Sequence, residues 1–236
     1  MSLLTALLLP SVTKDDSGEH WVTVNGQHIL IGADGNPKTG NVAQRIGMRL
    51  SYERNPIRRL AVEKSYHQLE KVQQVDRIAP NRAAALQVYT GSGYRQINGV
   101  LRSGKEEDCS LCPQIDKALR QASMPEDTEV FRGGTFSPAQ AESFVPGVKF
   151  SDNGYVSTSL SVNTAKSFAD QEGTPVIFSI QMPKGSQGLA VGSFSDTSEH
   201  EVLLPRGSKF EVTSASWGEH DGYSYKAVEL KYLGAS

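Results

Sequence analysis

Apolar positions change their period once along this chain. Upstream of about residue 121 they recur at helical spacing. Ile57, Leu60, Ala61, Tyr66, Leu69 and Val72 follow the i, i+3, i+4 pattern that lines one face of an α-helix. The stretch 45–79 therefore predicts helix. Asn55-Pro56 is a start signal within it, because proline fits a first turn where its missing N–H goes unused. Asn81 is a candidate N-cap for a helix over 82–89. Residues 90–94 (Thr-Gly-Ser-Gly-Tyr) read as a loop, 95–102 return to helical register, and 113–121 form a further helix with Pro113 in its first turn. From residue 129 the pattern becomes short apolar runs separated by Gly and Ser turns. The runs 129–131, 148–150, 155–159, 175–182, 188–191, Glu201–Leu204, 209–213 and 223–230 read as strands, interrupted by one amphipathic helix over 163–170. Helices first and strands after predict an α+β fold with a β core packed on itself.

The amino-terminal part has a different character. Residues 11–45 are rich in Gly, Asp, Asn and Lys, and 20–31 read as two strands around Asn25-Gly26, the dipeptide that type I′ hairpin turns favour. Residues 33–40 are a turn-rich linker. Residues 1–45 are thus expected to be an appendage or tether, and 46–236 the main domain. Segment 20–31 resembles short segments of phage head-associated proteins. Met1 to Pro10 is apolar but short of the roughly 20 residues of a membrane span. It also lacks the basic lead of a signal peptide, since no Lys or Arg precedes Lys14. It reads as a segment that docks on the protein itself or on a partner.

Composition narrows the classes. With 38% hydrophobic and 21% charged residues, 236 residues can bury a core, and 22 glycines suit a loop-rich β protein. A net charge of −2 argues against a nucleic-acid partner. A slight basic excess lies in residues 1–80 and a slight acidic excess in 81–236. Arg49, Arg54, Arg58 and Arg59 form a basic cluster, either a solvated helix face or a contact for phosphates or an acidic partner. Cys109 and Cys112 are the two cysteines. With no second CxxC the spacing does not make a zinc site, and the context is not the βαβ unit of a thioredoxin-like motif. They read as two thiols before a helix, able to close a local disulfide. No metal is expected.

Three motifs carry chemistry. Phe131-Arg132-Gly133-Gly134 puts an arginine beside glycines, which suits a phosphate grip with close backbone approach. Ser157-Thr158-Ser159 sits in a strand, where Ser157 and Ser159 share a face. No His or Lys is nearby in sequence to activate a nucleophile, so these hydroxyls read as donors that orient a neighbour. Glu199-His200-Glu201 opens the run Val202-Leu203-Leu204. On one strand its two carboxylates would sit roughly 7 Å apart on the same face and raise each other's pKa.

Taken in this order, Arg132, Ser157-Thr158-Ser159 and Glu199-x-Glu201 resemble the arginine-serine-glutamate class of mono-ADP-ribosyltransferases, which includes the actin-modifying binary toxins and related bacterial and phage enzymes. The likeness runs over about residues 80–233. It takes in Tyr89 to Tyr94 with Ile97-Asn98 and Leu101-Arg102, Thr164 to Phe168, Met182 to Gly185, and Glu201 to Phe210. It implies a two-sheet β core of the ADP-ribosyltransferase type and NAD as substrate. It also implies transfer of ADP-ribose to arginine side chains of a target protein, because a glutamate at the first position goes with arginine acceptors. Glu201 would stabilise the oxocarbenium-like transition state, Glu199 would handle the incoming nucleophile, and Ser157 would position Glu201. Arg132, with Arg102 and Asn98, would hold the NAD phosphates and adenylate half. Gly133 and Phe168 would meet nicotinamide, and Thr158 and Ser159 belong to the same NAD-facing set. Phe194 would be the exposed aromatic of the target-recognition loop 192–198.

Two departures stand out. No second arginine follows Phe168, where Asp170, Gln171 and Glu172 stand, and the loop 192–198 is short. The resemblance places the site of action in the cytoplasm of a target or host cell, reached by injection, secretion or virion packaging, with a phage head or carrier component as a further partner. Two other readings stay open: an NAD glycohydrolase in which water is the acceptor, and a catalytically silent phage structural or binding module.

Overall fold

The computed structural model describes residues 12–14, 20–24, 27–31 and 38–235. The expected docking segment Met1 to Pro10 lies outside them. Strands β1 (Val12–Lys14), β2 (His20–Val24) and β3 (Gln27–Ile31) form a small antiparallel sheet in that order. Val24 pairs with Gln27, which gives the two arms of the expected hairpin.

The helical region contains more breaks than its periodicity predicts. Helix α1 (Val42–Tyr52) and helix α2 (Pro56–Val72) are separate, because the Asn55 side chain accepts from the Ile57 N–H and starts a new helix. Pro56 cannot continue the first one, since its ring clashes with a preceding helical turn. Helix α3 (Pro80–Val88) begins ahead of the expected start. Pro80 takes the first turn and Asn81 lies inside, where its amide bonds Gln114 instead of capping. Residues 90–94 are not a free loop. Tyr89–Gly93 makes a π-helical turn that runs into α4 (Tyr94–Arg102), and Gly91 absorbs the kink at φ −77, ψ −125. Helix α5 (Cys112–Leu119) carries Pro113 in its first turn, and Cys109 and Cys112 are joined in a disulfide.

The remaining elements are β4 (Thr128–Phe136), α6 (Pro138–Ser143), β5 (Lys149–Asp152), β6 (Val156–Ser159), α7 (Val162–Ala169), β7 (Thr174–Met182), β8 (Leu189–Ala190), β9 (Glu201–Leu204), β10 (Ser208–His220) and β11 (Tyr223–Ala235). Sequence periodicity missed α6, although Ser137 and Gln140 form a reciprocal capping box around Pro138. The strands order as β5-β10-β11-β7-β4-β6-β9-β8. Among them β11 and β7 run parallel and the other pairs antiparallel. The two halves of this α+β core meet at a single residue pair, Phe131 with Ser159. The β10–β11 ribbon extends from Ser214 opposite Glu229 to His220 opposite Tyr223, and this half packs on α1. Tyr225 and Ala227 are buried there with Val42 and Ala43, and Tyr225 Oη donates to the Ala43 carbonyl at 3.0 Å.

Alternation along the central strands feeds two cores. Phe131 and Ile177 point to one face, where Val42, Ile46 and Leu50 of α1 and Val162, Ala165 and Ala169 of α7 cover them. Val130, Val176 and Phe178 point to the other, into a larger core with Leu86, Tyr89, Ile115 and Leu119. The basic cluster on α1 and α2 does not act as one patch. Arg49 pairs with Glu129 and lies 4.9 Å over the Phe131 ring, Arg54 pairs with Asp221, and Arg58 lies over Tyr52.

Glu53, just past α1, is buried and makes the amino terminus of α7. Its carboxylate accepts from Ser161 Oγ at 2.7 Å, Val162 N at 3.0 Å, and both Asn163 N and Nδ2 at 3.1 and 3.3 Å. The first amides of a helix have no internal partner, and a negative group there also meets the helix dipole. Glu53→Leu is therefore expected to lower the unfolding free energy by about 2 kcal/mol, measured by urea titration. A loss under about 0.5 kcal/mol would show that α7 does not depend on this carboxylate.

Candidate active site

The site begins with strand register. In the β6–β9 ladder Ser159 lies opposite Glu201 and Ser157 opposite Leu203, so Ser157 and Glu201 are diagonal neighbours on one face. The Ser157 hydroxyl bonds the Glu201 carboxylate. Behind it, Tyr89 Oη lies 3.3 Å from Ser157 Oγ, and Asn98 Nδ2 donates to Tyr89 Oη at 3.1 Å. An amide N–H can only donate and a carboxylate can only accept. The row therefore runs one way, from Asn98 through Tyr89 and Ser157 to Glu201. The Glu201 side chain is buried, and its pKa is pushed up to about 7. Burial is the main cause and the Glu199 charge adds to it, while the Ser157 bond and the Arg132 guanidinium pull the other way.

Glu199 does not share a strand face with Glu201. Strand β9 starts only at Glu201, and His200 sits at φ +49 in the left-handed region, so the chain turns between the two acids. Simple alternation fails there because a left-handed residue breaks the pleat. Glu199 is half-buried, and its carbonyl accepts from Ser159 Oγ at 2.5 Å. One acid is therefore enclosed and the other partly in water, close enough to feel each other's charge.

Arg132 is half-buried and donates to the Ser157 carbonyl at 2.8 Å. Burial lowers its pKa, offset mainly by the Asp152 carboxylate, and a guanidinium still stays charged. Arg102 forks onto Asp152 at 2.9 and 2.8 Å, a pairing that raises its pKa. One carboxylate thus faces two arginines, a link that spacing did not suggest.

Thr158, Ser159 and Asn98 are committed to other partners. The Thr158 hydroxyl donates to the Val202 carbonyl at 2.6 Å, so Thr158 and Ser159 fasten the glutamate segment by its backbone. Asn98 is buried and its amide is committed to Tyr89 and to both backbone groups of Tyr155, leaving no donor for an adenylate. The Gly133 α-carbon lies under α7. Phe168, on the last turn of α7, is 43% exposed. Phe194 is half-buried against the core, not exposed, because residues Gly192–Phe194 fold into a 3-10 turn whose last carbonyl accepts from Thr90. Sequence reading placed Tyr89 in the family-like segment but gave its hydroxyl no role. It looks like one more apolar position of a helix until the fold aims its hydroxyl at Ser157.

A cavity of about 1030 Å³ lies between α1, α2, β4 and β7, but its walls include none of Arg132, Ser157, Glu199 or Glu201. Among the described residues no group of three or more His, Cys, Asp or Glu could hold a metal ion, and no helix is long and apolar enough to cross a membrane.

Comparison with known proteins gives the family and the fold. A family profile described as ADP-ribosyltransferase exoenzyme matches residues 63–234. A protein of Mycobacterium avium (strain 104), provisionally named NAD(+)–arginine ADP-ribosyltransferase Mav, is 35% identical over 134 residues, covering 56% of this chain and 16% of the relative. Exoenzyme T of Pseudomonas aeruginosa is 32% identical over 157 residues, covering 64% of this chain and 32% of the relative. The chain thus matches well under half the length of these two relatives. Among solved structures, Plx2a, an ADP-ribosyltransferase toxin from Paenibacillus larvae, shares the fold with a TM-score of 0.61 at 20% identity, covering 75% of this chain and 94% of that one.

Proposed function

The chain belongs to the ADP-ribosyltransferase exoenzyme family, whose substrate is NAD, and from that premise we propose that it transfers one ADP-ribose unit from NAD to an arginine side chain of a target protein. The observation that carries the proposal is the inequality of the two acids: Glu201 enclosed and held by Ser157, Glu199 partly solvated beyond a left-handed turn. The name of the Mycobacterium avium relative supports arginine as acceptor.

The bond between ribose C1′ and the nicotinamide nitrogen breaks, and its electron pair leaves with nicotinamide, neutralising the ring. Positive charge grows on the ribose. Ionised Glu201 beside it lowers the barrier, because a fixed carboxylate in an enclosed site acts through less screening than one in water. The arginine nitrogen then bonds C1′ and gives its proton to Glu199. A guanidinium is almost fully protonated in water, so a carboxylate at the point of attack is what an arginine acceptor needs. In this reading Arg132 and Arg102 meet the pyrophosphate, the Gly133 backbone and Phe168 meet nicotinamide, and loop 192–198 meets the target. The catalytic unit, expected over 46–236, takes in all of α1 from Val42, and the residues ahead of it are a tether. The site of action is the cytoplasm of a target cell, reached by injection, secretion or packaging with a phage head or carrier component.

Partial exposure of Glu199 also admits water as acceptor, which favours glycohydrolysis as a side reaction. With labelled NAD and agmatine, Glu199→Ala is expected to lose transfer about 100-fold while nicotinamide release changes much less. If the wild type releases nicotinamide and never labels agmatine, the protein is a glycohydrolase. If it does neither, the enzymatic reading fails.

A further inference from the structure

The segment carrying Glu199 is closed at both ends by one side chain that belongs to another element. Tyr66, in α2, is 3% exposed, and its hydroxyl is used twice. It accepts from the Gly192 N–H at 2.6 Å and donates to the Glu201 carbonyl at 2.7 Å. Gly192 opens the loop and Glu201 ends it, so a single oxygen bridges the base of the whole loop. The Tyr66 ring also meets the His200 ring edge-on at 5.4 Å, beside the left-handed residue that separates the two acids. One turn further along α2, Glu70 accepts from the Ser193 N–H at 3.1 Å. Burial holds the phenol far above physiological pH, so this hydroxyl keeps its proton and stays both donor and acceptor.

We infer that Tyr66 is a positioning residue for the acceptor half of the reaction: its hydroxyl fixes the loop that presents Glu199, while Glu201 keeps its place by other means. The inference rests on the roles proposed above for the two glutamates. Its asymmetry comes from the ladder. Glu201 is anchored opposite Ser159 in β6, and its carbonyl also accepts from the Val191 N–H at 3.0 Å. Glu199 has no strand around it. Apart from the Ser159 bond to its carbonyl and the Leu160 N–H bond to the His200 carbonyl at 3.2 Å, its setting depends on how the 192–200 segment is closed. Removing the hydroxyl should therefore misplace Glu199 before it disturbs Glu201.

Tyr66→Phe keeps the ring against His200 and removes only the oxygen. Transfer from NAD to agmatine is expected to fall about tenfold, the size of one or two neutral hydrogen bonds. Nicotinamide release without acceptor and the KM for NAD should change by less than about threefold. Gly192→Ala approaches the same contact from the loop side, because its Cβ would stand 2.8 Å from the Tyr66 hydroxyl, and it should give the same split. It also serves if Tyr66→Phe folds poorly. Hydrogen exchange supplies a readout that needs no activity: amides of 192–200 should exchange about tenfold faster in Tyr66→Phe, with β6 and β9 unchanged. An equal fall in transfer and nicotinamide release, no change in either, or unchanged exchange of 192–200 overturns the inference. Glu199→Ala run alongside separates the two failures. If Glu199→Ala itself shows no split, the assigned roles of the acids fall. If it splits and Tyr66→Phe does not, only the role of Tyr66 falls.

Discussion

Glu201→Gln is expected to cut both transfer and nicotinamide release by about a thousandfold while making the folded protein more stable at pH 8. Both effects come from one carboxylate. In the proposed mechanism its charge is what the oxocarbenium-like transition state needs, and enclosure is what makes the charge costly. In the folded chain the pKa is pushed up from 4.5 to about 7, burial being the larger cause. The folded state therefore binds this proton more tightly than the unfolded state. Stability from this group is full below about pH 4.5, falls as pH rises, and is gone above about pH 7. A shift of that size corresponds to about 3 kcal/mol at pH 8. Glutamine keeps a polar partner for Ser157 and removes the charge, so it should recover part of that cost, a rise of a few degrees in Tm. At about pH 4, below 4.5, where the acid is mostly protonated in both states, the variant and the wild type should melt together. The same group sets the rate profile: wild-type kcat/KM should rise with pH through about 7 as Glu201 ionises. A variant that melts lower than wild type at pH 8, or a rate independent of pH between 6 and 8, would contradict this account of Glu201.

Gly133→Ala is expected to destabilise the chain by at least about 3 kcal/mol, although it adds one methyl group. A Cβ at this position would stand 1.7 Å from the Ala165 carbonyl oxygen and 2.7 Å from its carbon, both backbone atoms of α7. No rotamer change relieves a clash with backbone, so the helix must leave β4. It would take with it the packing of Val162, Ala165 and Ala169 on Phe131 and Ile177, and displace Phe168. The neighbouring glycine is the control. A Cβ on Gly134 meets only the Phe136 ring, at 3.2 Å, and Gly134→Ala should cost under about 1 kcal/mol. Urea midpoints of the two variants test this directly. Equal midpoints would mean that α7 does not pack on β4 as closely as described. The Arg-Gly-Gly motif thus has a structural reason for its first glycine that is independent of any ligand.

The order of elements was legible in the sequence because it depends on local periodicity. The shift from a helical period to short strands placed every strand of the larger sheet, and Glu201–Leu204 was read with its observed bounds. Local capping chemistry was legible too, as at Asn55-Pro56. Breaks that depend on a single backbone angle were not. The π-helical turn at Tyr89–Gly93 and the left-handed His200 leave no periodic trace, so a loop was expected at the first and a shared strand face at the second. Phe194 and Asn98 were assigned outward roles by the family resemblance, whereas their burial is set by elements far away in sequence.

The residues themselves determined the chemistry available: an arginine beside glycines, a Ser-Thr-Ser strand, two acids separated by one residue, and a likeness to one family carried by that set. Tertiary structure alone decided which of them act on one another. Strand register put Ser157 diagonal to Glu201, and the kinked α3–α4 junction brought Tyr89 and Asn98 behind it. Helix α2 sent Tyr66 to both ends of the Glu199 loop, and burial separated two chemically identical acids into one of high pKa and one partly in water. The physical reason is the range of the forces involved. Periodicity and capping act within a turn or two of chain, where sequence records them, whereas hydrogen-bond partnership and desolvation depend on what folding brings within a few ångströms.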